Sequence, residues 1–470
     1  MSNEYRITAG PFASAWKICA GLGVVGLGAS LAGMGVDAKR FAFSYLFAFA
    51  VFLTLAIGST FFVLLQHLTN AGWSVSVRRI AEFFMSALPV FALLFLPIAL
   101  NTGNLFPWWG DHHAPAAHHA PAHGNPATHE PTGHADTTAP TPQHGAVAAA
   151  ADEVTQPEHG GPAQHVAGHR LTQSEIDHHL HAEVLASKTW YLSVGFFFAR
   201  ALAYFLIWGF ISWRLFKNST DQDKTRSLTE TAKSQALAPA ATALMGLTTT
   251  FAAFDWLMSL LPTWYSTIFG VWIFAGSMVV GLAVLNLVAY ALRASGITGK
   301  AITTEHFHDL GKLLFGFNVF WAYISFSQFF LIWYASIPEE TSFFHIRWGN
   351  GPWVGVSLSI VFLHFLVPFL LLISRNTKRY FGQKGLMAGA ALLIVMHVVE
   401  MYWLVMPNLA EQRGISAGAS EALSLHWLDL TCLLGVGGVY LAAVFYRMAT
   451  NPTVPVGDPR LGRSVHLDNA

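Results

Sequence analysis

Two carboxylates lie inside long apolar stretches of the sequence, and they are the residues best placed to do chemistry. Asp255 falls in "FAAFDWLMSLLP" and Glu400 in "MHVVEMYWLVMP". An ionisable side chain at membrane depth is costly and usually lines a cavity or a proton path. His397 precedes Glu400 by three residues, which places both on one face of a helix. We therefore predict that these three residues line a proton path.

Further ionisable residues in apolar stretches are candidates for the same path. His364 lies near the middle of one stretch, Arg200 lies beside Tyr204 in another, and Glu82 opens a third. Imidazoles and desolvated carboxylates can titrate near neutral pH, so a hydrated chain of them could pass protons. Two alternatives stay open. Arg200 could pair with one of the acids and join two helices, and His364 and His397 could be hydrogen-bonded core residues.

Two further sets of polar residues lie at the ends of apolar runs or inside one of them. Solvated side chains are expected near the ends of apolar runs, at His67, Glu82 and Asp429. A polar patch inside one run either carries protons or hydrogen-bonds to neighbouring helices; it consists of Tyr323, Ser325, Ser327 and Gln328.

The sequence predicts that this chain carries no redox cofactor of its own. Its two cysteines, Cys19 and Cys432, sit in apolar stretches, and no C-x-x-C-H motif for covalent haem occurs. His364 and His397 could ligate one b-type haem, but both have nearby polar groups that offer other partners, and no second deep pair exists. Any redox chemistry would therefore use centres in partner chains.

Composition places the chain in a membrane. Of the 470 residues, 53% are hydrophobic and only 11% are charged, whereas soluble domains carry about a quarter of charged residues. Basic and acidic residues balance at 26 each, which gives no reason to expect nucleic-acid binding.

Ten apolar runs are long enough to cross a bilayer, because a spanning helix needs roughly 20 residues. We predict an all-α membrane protein whose ten spans lie at approximately 14–36, 41–66, 80–101, 189–215, 239–261, 265–292, 311–336, 352–374, 385–407 and 424–448. An even number of spans puts both termini on one side. That side holds 19 of the basic residues and the opposite side six. The positive-inside rule therefore predicts cytoplasmic termini.

Paired motifs indicate an internal duplication. Asp255 and Glu400 each precede a proline by seven residues, and Gly58-Ser59 in span 2 matches Gly276-Ser277 in span 6. The acids lie 145 residues apart and the Gly-Ser pairs 218 apart, a mismatch close to the length difference between the loops after spans 3 and 7. We predict that spans 2–5 and 6–9 are parallel copies of a four-helix bundle, flanked by spans 1 and 10.

Fourteen of the 22 histidines fall in one outward-facing loop between spans 3 and 4. The composition of this loop favours disorder. The loop is either an expanded polar insertion or a weak chelator of zinc or copper. Residues such as His112, His113, His118 and His119 would bind the metal. The predicted organisation is 1–110 for spans 1–3, 111–182 for this insertion, 183–262 for spans 4–5, 263–408 for the second bundle, and 409–470 for span 10 and the tail.

Two long stretches carry a resemblance to a known family. These are "AIGSTFFVLLQHLTNAGWSVSVRRIAEFF" (56–84) and "TTTFAAFDWLMSLLPTWYSTIFGVWIFAGS" (248–277). With the ten spans and the doubled bundle, they resemble the F-type integral membrane subunit of alternative complex III, a bacterial quinol:cytochrome c oxidoreductase. The wider group is the NrfD-like, or polysulphide-reductase, membrane subunit family.

The resemblance implies a place in a respiratory complex. A sister NrfD-like subunit would bind the quinol, and partner chains would carry iron–sulfur clusters and c-type haems. Asp255, Glu400 and His397 would line a proton route in this chain, which would also support the membrane module. The resemblance identifies no quinol-binding residues in this chain. Two rival hypotheses are a quinol-binding NrfD-like subunit and a secondary transporter with parallel repeats.

Overall fold

Ten long apolar helices form the framework of the protein. The computed structural model describes residues 5–109, 184–349, 351–379 and 383–468. Within these ranges ten helices are long and apolar enough to cross a membrane, which confirms the predicted all-α membrane architecture. Numbered as spans 1 to 10, they are Pro11–Met34, Ala38–Leu68, Val75–Leu100, Val194–Thr225, Leu228–Leu260, Phe269–Ala294, Thr304–Ala335, Trp353–Ile373, Lys384–Gln412 and Ser420–Thr450.

Several spans are interrupted. Span 3 consists of Val75–Ser86, Val90–Leu94 and Leu96–Leu100. The α-helix of span 5 ends at Trp256 and is followed by the 3₁₀ turn Met258–Leu260, while Ser420–Ala422 forms such a turn before the helix Trp427–Thr450 of span 10. Further short helices are Thr102–Leu105, Pro338–Trp348, Arg375–Arg379 and Leu461–Val465.

Span 8 contains a wide π-helical turn. Its order is Trp353–Ser359, the π-helix Ile360–Leu366, and Val367–Ile373. Pro368 lies just beyond the π-helix, and proline both lacks an N–H and crowds the carbonyl four residues earlier, which is that of His364. Such turns are rare and often occur at functional sites. The turn places His364, a candidate site residue, on a locally widened helix.

Spans 4 and 5 extend beyond their apolar segments to form a tight helical hairpin. Polar residues continue span 4 to Thr225, and span 5 starts at Leu228. Between them Arg226 adopts a left-handed conformation (φ 52°), and the Ser227 side chain caps the second helix. Hydropathy underestimates the length of both helices, because the turns that extend beyond the apolar segments are polar.

The spans pack as two matching bundles. Spans 2 to 5 contact one another in a closed ring, 2 on 3, 3 on 4, 4 on 5 and 5 on 2, and spans 6 to 9 repeat that order. Span 2 packs on span 6 at the centre; span 2 also contacts span 9, and span 6 contacts span 5. This is the packing that a duplication predicts. Spans 1 and 10 pair with each other, and span 10 packs on span 2.

Small residues bring the central helices into backbone contact. A Cβ added at Gly58 would lie 1.8 Å from the carbonyl oxygen of Ser277, and one added at Gly281 would lie 3.0 Å from the backbone of Gly58. Spans 1 and 10 approach as closely where Gly26 meets Gly435. Close approach of this kind is how helices gain packing energy where no hydrophobic effect drives them together.

Candidate functional site

All four helices of the second bundle contribute to a polar cluster around Glu400. Glu400 and His397 come from span 9, Trp272 from span 6, Trp321 from span 7 and His364 from span 8. The indole N–H groups of Trp272 and Trp321 both donate to Glu400 Oε1, at 2.8 and 2.7 Å. The carboxylate is 1% exposed, and both histidines are fully buried. We call Glu400, His364 and His397 the Glu400 cluster.

The second carboxylate oxygen faces two histidines without a hydrogen bond. Glu400 Oε2 lies 3.6 Å from His397 Nδ1 and 3.9 Å from His364 Nδ1. These three atoms have no hydrogen-bond partner, and neither has His364 Nε2. Leaving buried polar atoms unpaired costs about 1–3 kcal/mol each. The centre of the second bundle therefore holds four buried polar atoms that no protein group hydrogen-bonds.

Span 2 of the first bundle fixes the other side of His397. His397 Nε2 lies 2.8 Å from Thr54 Oγ1, whose hydroxyl is also 2.8 Å from the carbonyl of Ala50. If Thr54 donates to that carbonyl, as helical hydroxyls commonly do, His397 Nε2–H donates to Thr54. His397 Nδ1 is then an acceptor that faces another acceptor, Glu400 Oε2. Only a proton on one of the two atoms relieves that arrangement.

Glu400 lies farther from the end of its helix than the sequence predicts. The predicted span ends at Pro407, two helical turns after the acid. The helix instead continues through Pro407 to Gln412, so Glu400 lies about three turns from its end. The proline leaves the carbonyl of Trp403 without its usual N–H, and Arg347 Nε donates to that carbonyl at 3.0 Å. Burial lowers the pKa of Arg347 well below its ordinary value.

Asp255, the matching acid of the first bundle, is fully paired. Arg200 donates to it through Nε at 2.9 Å and Nη2 at 2.8 Å, and the Tyr204 hydroxyl donates at 2.7 Å. The guanidinium also lies 3.9 Å above the Tyr191 ring. Both carboxylate oxygens are used, and Asp255 is 0% exposed. The geometry is that of a salt bridge that joins spans 4 and 5, the alternative that the sequence left open for Arg200.

Glu82 belongs to a third, separate cluster at the end that carries both termini. It is bound by Arg78 at 2.8 Å and Arg79 at 3.0 Å, and Arg78 Nη2 also reaches Asp458 in the C-terminal tail. Arg79 pairs with Asp223 of span 4 at 2.7 Å. The six predicted path residues thus fall into three contact groups: the Glu400 cluster, the pair Arg200 and Asp255, and Glu82.

The expectation of solvated side chains at three span ends is wrong. His67 is 5% exposed, Glu82 0% and Asp429 7%. The C-terminal tail covers the end where His67 and Glu82 lie, through contacts such as that of Asp458. At the opposite end Arg40 and Ser44 bind the two oxygens of Asp429. Hydropathy cannot reveal this, because the covering residues are distant in sequence.

The predicted polar patch of span 7 does not act as one unit. Tyr323 is 64% exposed on the outer surface, whereas Gln328 is buried with neither amide atom hydrogen-bonded. Ser325 donates to the carbonyl of Trp321 within its own helix. The helical period separates these neighbours onto different faces.

A large aromatic cavity adjoins the Glu400 cluster. It has a volume of about 600 Å³ and lies between spans 7 and 8 and the helix Pro338–Trp348. Trp272 and Trp321, the two residues that donate to Glu400, line it together with Trp403. The sequence analysis missed all three tryptophans and Thr54, because a tryptophan or threonine in an apolar run looks like ordinary helix packing.

Within the described ranges, no group of three or more His, Cys, Asp or Glu residues is arranged to hold a metal ion. The histidines named for weak chelation, His112, His113, His118 and His119, lie outside the described residues. No protein-family model matches the chain, and no curated protein matches it significantly.

Proposed function

We propose that this chain is an integral membrane subunit of a bacterial quinol:cytochrome c oxidoreductase of the alternative complex III type. It would hold a proton-exchanging site and scaffold the membrane module. A sister NrfD-like subunit would bind quinol, and partner chains would carry iron–sulfur clusters and c-type haems. The termini would lie in the cytoplasm. The resemblance of residues 56–84 and 248–277 to that family supports the assignment, as does the paired-bundle packing.

One observation carries the proton role: Glu400 Oε2 faces His397 Nδ1 and His364 Nδ1 with no hydrogen bond to either. Each separation exceeds hydrogen-bond length by less than about 1 Å. A small movement of the carboxylate therefore brings Oε2 into hydrogen-bond range of one imidazole or the other. Once one imidazole has taken up a second proton, the carboxylate would accept that proton and pass it to the other histidine, while Trp272 and Trp321 hold Oε1 in place.

Asp255 has a different role in this proposal. Because Arg200 and Tyr204 occupy both of its oxygens, it keeps spans 4 and 5 together. Proton exchange at Asp255 and Glu82, which the sequence analysis predicts, stays a prediction.

The test is Glu400→Gln in the complex purified from its native membrane and reconstituted into vesicles. With a reduced quinol as donor and cytochrome c as acceptor, we expect linked proton movement to fall about tenfold or more, because an amide cannot carry the proton. Haem content should stay unchanged. A pH-sensitive dye inside the vesicles reports proton movement, and absorbance reports cytochrome reduction.

Glu411→Gln is the matched control. Glu411 is an exposed carboxylate near the end of the same span, and its loss should leave proton movement unchanged. Equal proton movement per electron in Glu400→Gln and in the unaltered protein would overturn the proton role. Mass spectrometry of the native preparation tests the assignment itself: we expect multihaem and iron–sulfur chains to co-purify, and their absence would contradict it.

A further inference from the structure

Three basic side chains at the end that carries both termini have no acidic partner in the described part of the chain. They come from spans 1, 4 and 10 and are Lys17, Lys217 and Arg447, which we call the basic rim. No ion pair or side-chain hydrogen bond to another described residue engages any of them. Each instead lies over an aromatic ring, with its charged centre 5.2 to 5.6 Å from the ring centroid.

The acids on the surrounding spans bind other bases. On span 4, Asp223 lies 2.7 Å from Arg79. Asp221 on the same helix lies 3.9 Å from Lys224. Glu82, the acid of span 3, is held by two arginines of its own helix. An anion from outside the chain is therefore the partner that the charge of the basic rim fits.

Side-chain contacts place the basic rim at one level of the protein. Trp16 of span 1 meets Tyr446 of span 10, with ring centroids 5.6 Å apart. The next residue, Arg447, lies on the ring of Phe216 in span 4. Contact thus runs from span 1 across span 10 to span 4. Tryptophan and tyrosine are enriched where lipid headgroups meet hydrocarbon, and Tyr446 is 53% exposed there.

An apolar cavity of about 310 Å³ lies farther along the same faces of spans 1 and 10. Leu27 lines it eleven residues after Trp16, and Val439 lines it seven residues before Tyr446. Because eleven and seven residues are close to three and two helical turns, each pair shares a face, at roughly 16 and 10 Å along the axis. One leaflet of hydrocarbon is about 15 Å thick. An acyl chain that starts at the basic rim therefore reaches the cavity.

The cavity opens sideways toward the bilayer. Leu31 of span 1 is 50% exposed at its edge, and Leu93 of span 3 is 70% exposed. None of the residues that line it carries a charge. The walls therefore suit a hydrocarbon chain, which gains free energy in proportion to the apolar area it buries.

We propose that the basic rim and this cavity together bind one anionic phospholipid, with its phosphate among the three cations and an acyl chain in the cavity. Basic pockets between spans are typical sites for anionic headgroups. A zwitterionic phospholipid carries an ammonium group, which the three cations would repel. A soluble phosphate would leave the cavity unfilled. The inference goes beyond the proposed function, and its tests measure lipid binding, not electron or proton transfer.

Native mass spectrometry of the full chain, purified in detergent, tests the site. The probes are dioleoyl phosphatidylglycerol and dioleoyl phosphatidylethanolamine, which share their acyl chains and differ in headgroup charge. We expect the anionic lipid to bind about tenfold more tightly, and an equal concentration of glycerol phosphate to leave it bound. Equal binding of the two lipids would overturn the proposal. Displacement by glycerol phosphate would also overturn it, by identifying a soluble anion as the ligand.

Removing single charges locates the headgroup. Lys217 is exposed, so Lys217→Gln should leave the fold intact and weaken binding of the anionic lipid about fivefold, the usual effect of one basic residue near the membrane surface. Arg447→Gln should act alike, and the two changes together should weaken binding about 25-fold. Lys300→Gln, the matched control, removes an exposed charge from the loop between spans 6 and 7. Equal losses in Lys217→Gln and Lys300→Gln would refute a localised site.

Val90→Trp tests the cavity. Val90 lines it at a partly exposed position, where a larger side chain is tolerated and takes the volume of the acyl chain. We expect dioleoyl phosphatidylglycerol to bind about tenfold more weakly, whereas dihexanoyl phosphatidylglycerol, whose chains are too short to reach the cavity, should bind as before. Leu206→Trp on the exposed face of span 4 is the control and should change neither. Undiminished dioleoyl binding in Val90→Trp would overturn the cavity as the acyl site.

Discussion

Asp255 and Glu400 occupy matching positions in the two bundles, yet their carboxylates have different surroundings. A guanidinium neutralises Asp255 with two hydrogen bonds, whereas Glu400 receives two neutral indole N–H groups on a single oxygen. A carboxylate with a full set of charge-assisted bonds is fixed, while one with an open oxygen can exchange a proton. The first carboxylate therefore joins two helices, whereas the second keeps one oxygen without a hydrogen bond, and the proposed proton role rests on that difference.

Removing the charge of Asp255 tests the cohesive role. Asp255→Asn should destabilise the protein by about 3–5 kcal/mol, because it leaves the guanidinium of Arg200 buried without its counter-charge. Thermal unfolding in detergent measures the loss.

The control for this change is Asp221→Asn, which alters an exposed ion pair with Lys224. It should leave the midpoint temperature of thermal unfolding unchanged. Replacing both Arg200 and Asp255 by Met and Leu should recover much of the stability, since two apolar side chains can replace a buried ion pair. A variant Asp255→Asn as stable as the parent would show that the pair contributes no cohesion.

Only part of the candidate site around Glu400 could be predicted from the types of its residues. The sequence indicates Glu400, His397 and His364 because charges and imidazoles are rare in apolar runs. It cannot reveal that Trp272 and Trp321 bind the carboxylate, since their indoles come from two other helices and no spacing rule connects them. It also cannot distinguish the paired Asp255 from the open Glu400, because the difference lies in which residue of the preceding span faces each acid.

Among the helices, spans 2 and 6 determine how the two bundles meet. Their backbones touch where Gly58 lies on Ser277, and Thr54 reaches His397 one turn away from that contact. The central helix pair therefore sets both the spacing of the bundles and the position of the His397 imidazole.

Gly58→Ala tests this contact. A Cβ there would overlap the Ser277 carbonyl, which is backbone and cannot turn aside, so spans 2 and 6 must separate. We expect a loss of about 1–3 kcal/mol, the usual cost of overpacking, measured by thermal unfolding of the purified protein.

Gly209→Ala provides the contrast. Gly209 lies inside span 4 with open space around its Cα, so alanine there should raise stability by about 0.5–1 kcal/mol through its better helix propensity. If Gly58→Ala behaved like Gly209→Ala, the close crossing of spans 2 and 6 would be refuted.

At the scale of the whole molecule, the C-terminal tail fastens the end that carries both termini. Ser464 Oγ lies 2.8 Å from Ser76 Oγ and 3.0 Å from His306 Nε2, which joins spans 3 and 7. Thr453 N donates to the carbonyl of Tyr5 near the N-terminus at 2.8 Å. Asp458 adds the ion pairs to Arg78 and Arg460.

Acid should release this tail. Burial alone would raise the pKa of Asp458, but hydrogen bonds from Arg460 and the charge of Arg78 outweigh it and lower the pKa to about 2. A depressed folded-state pKa contributes stability that is present above the ordinary value of 3.8 and is lost as pH falls toward 2. The protection of residues 453–466 against hydrogen exchange, measured relative to an unstructured peptide at the same pH, should therefore fall between pH 4 and pH 2.

Asp458→Asn removes the titrating group and provides the comparison. The variant should be less protected than the parent at pH 7, and the difference should become small near pH 2, where about half of the parent carboxyl groups are protonated. A parent tail whose protection is independent of pH would refute the role of this ion pair.

The fold as a whole was more predictable than the site. Ten spans follow from hydropathy because the bilayer requires long apolar helices with satisfied backbones. The bundle packing agrees with the Gly-Ser and acid–proline matches. The errors occur where polar residues continue a helix, as at Thr225, or where distant segments cover a span end, as at Glu82.

The tail also sets an order of events during synthesis. A ribosome adds Asp458 only after all ten spans, yet this residue completes the ion pairs of Arg78, which is synthesised 380 residues earlier. Until Asp458 has been added, Nη2 of that guanidinium must keep water or lipid headgroups as partners. Nascent chains arrested before Asp458 would therefore remain open at this end.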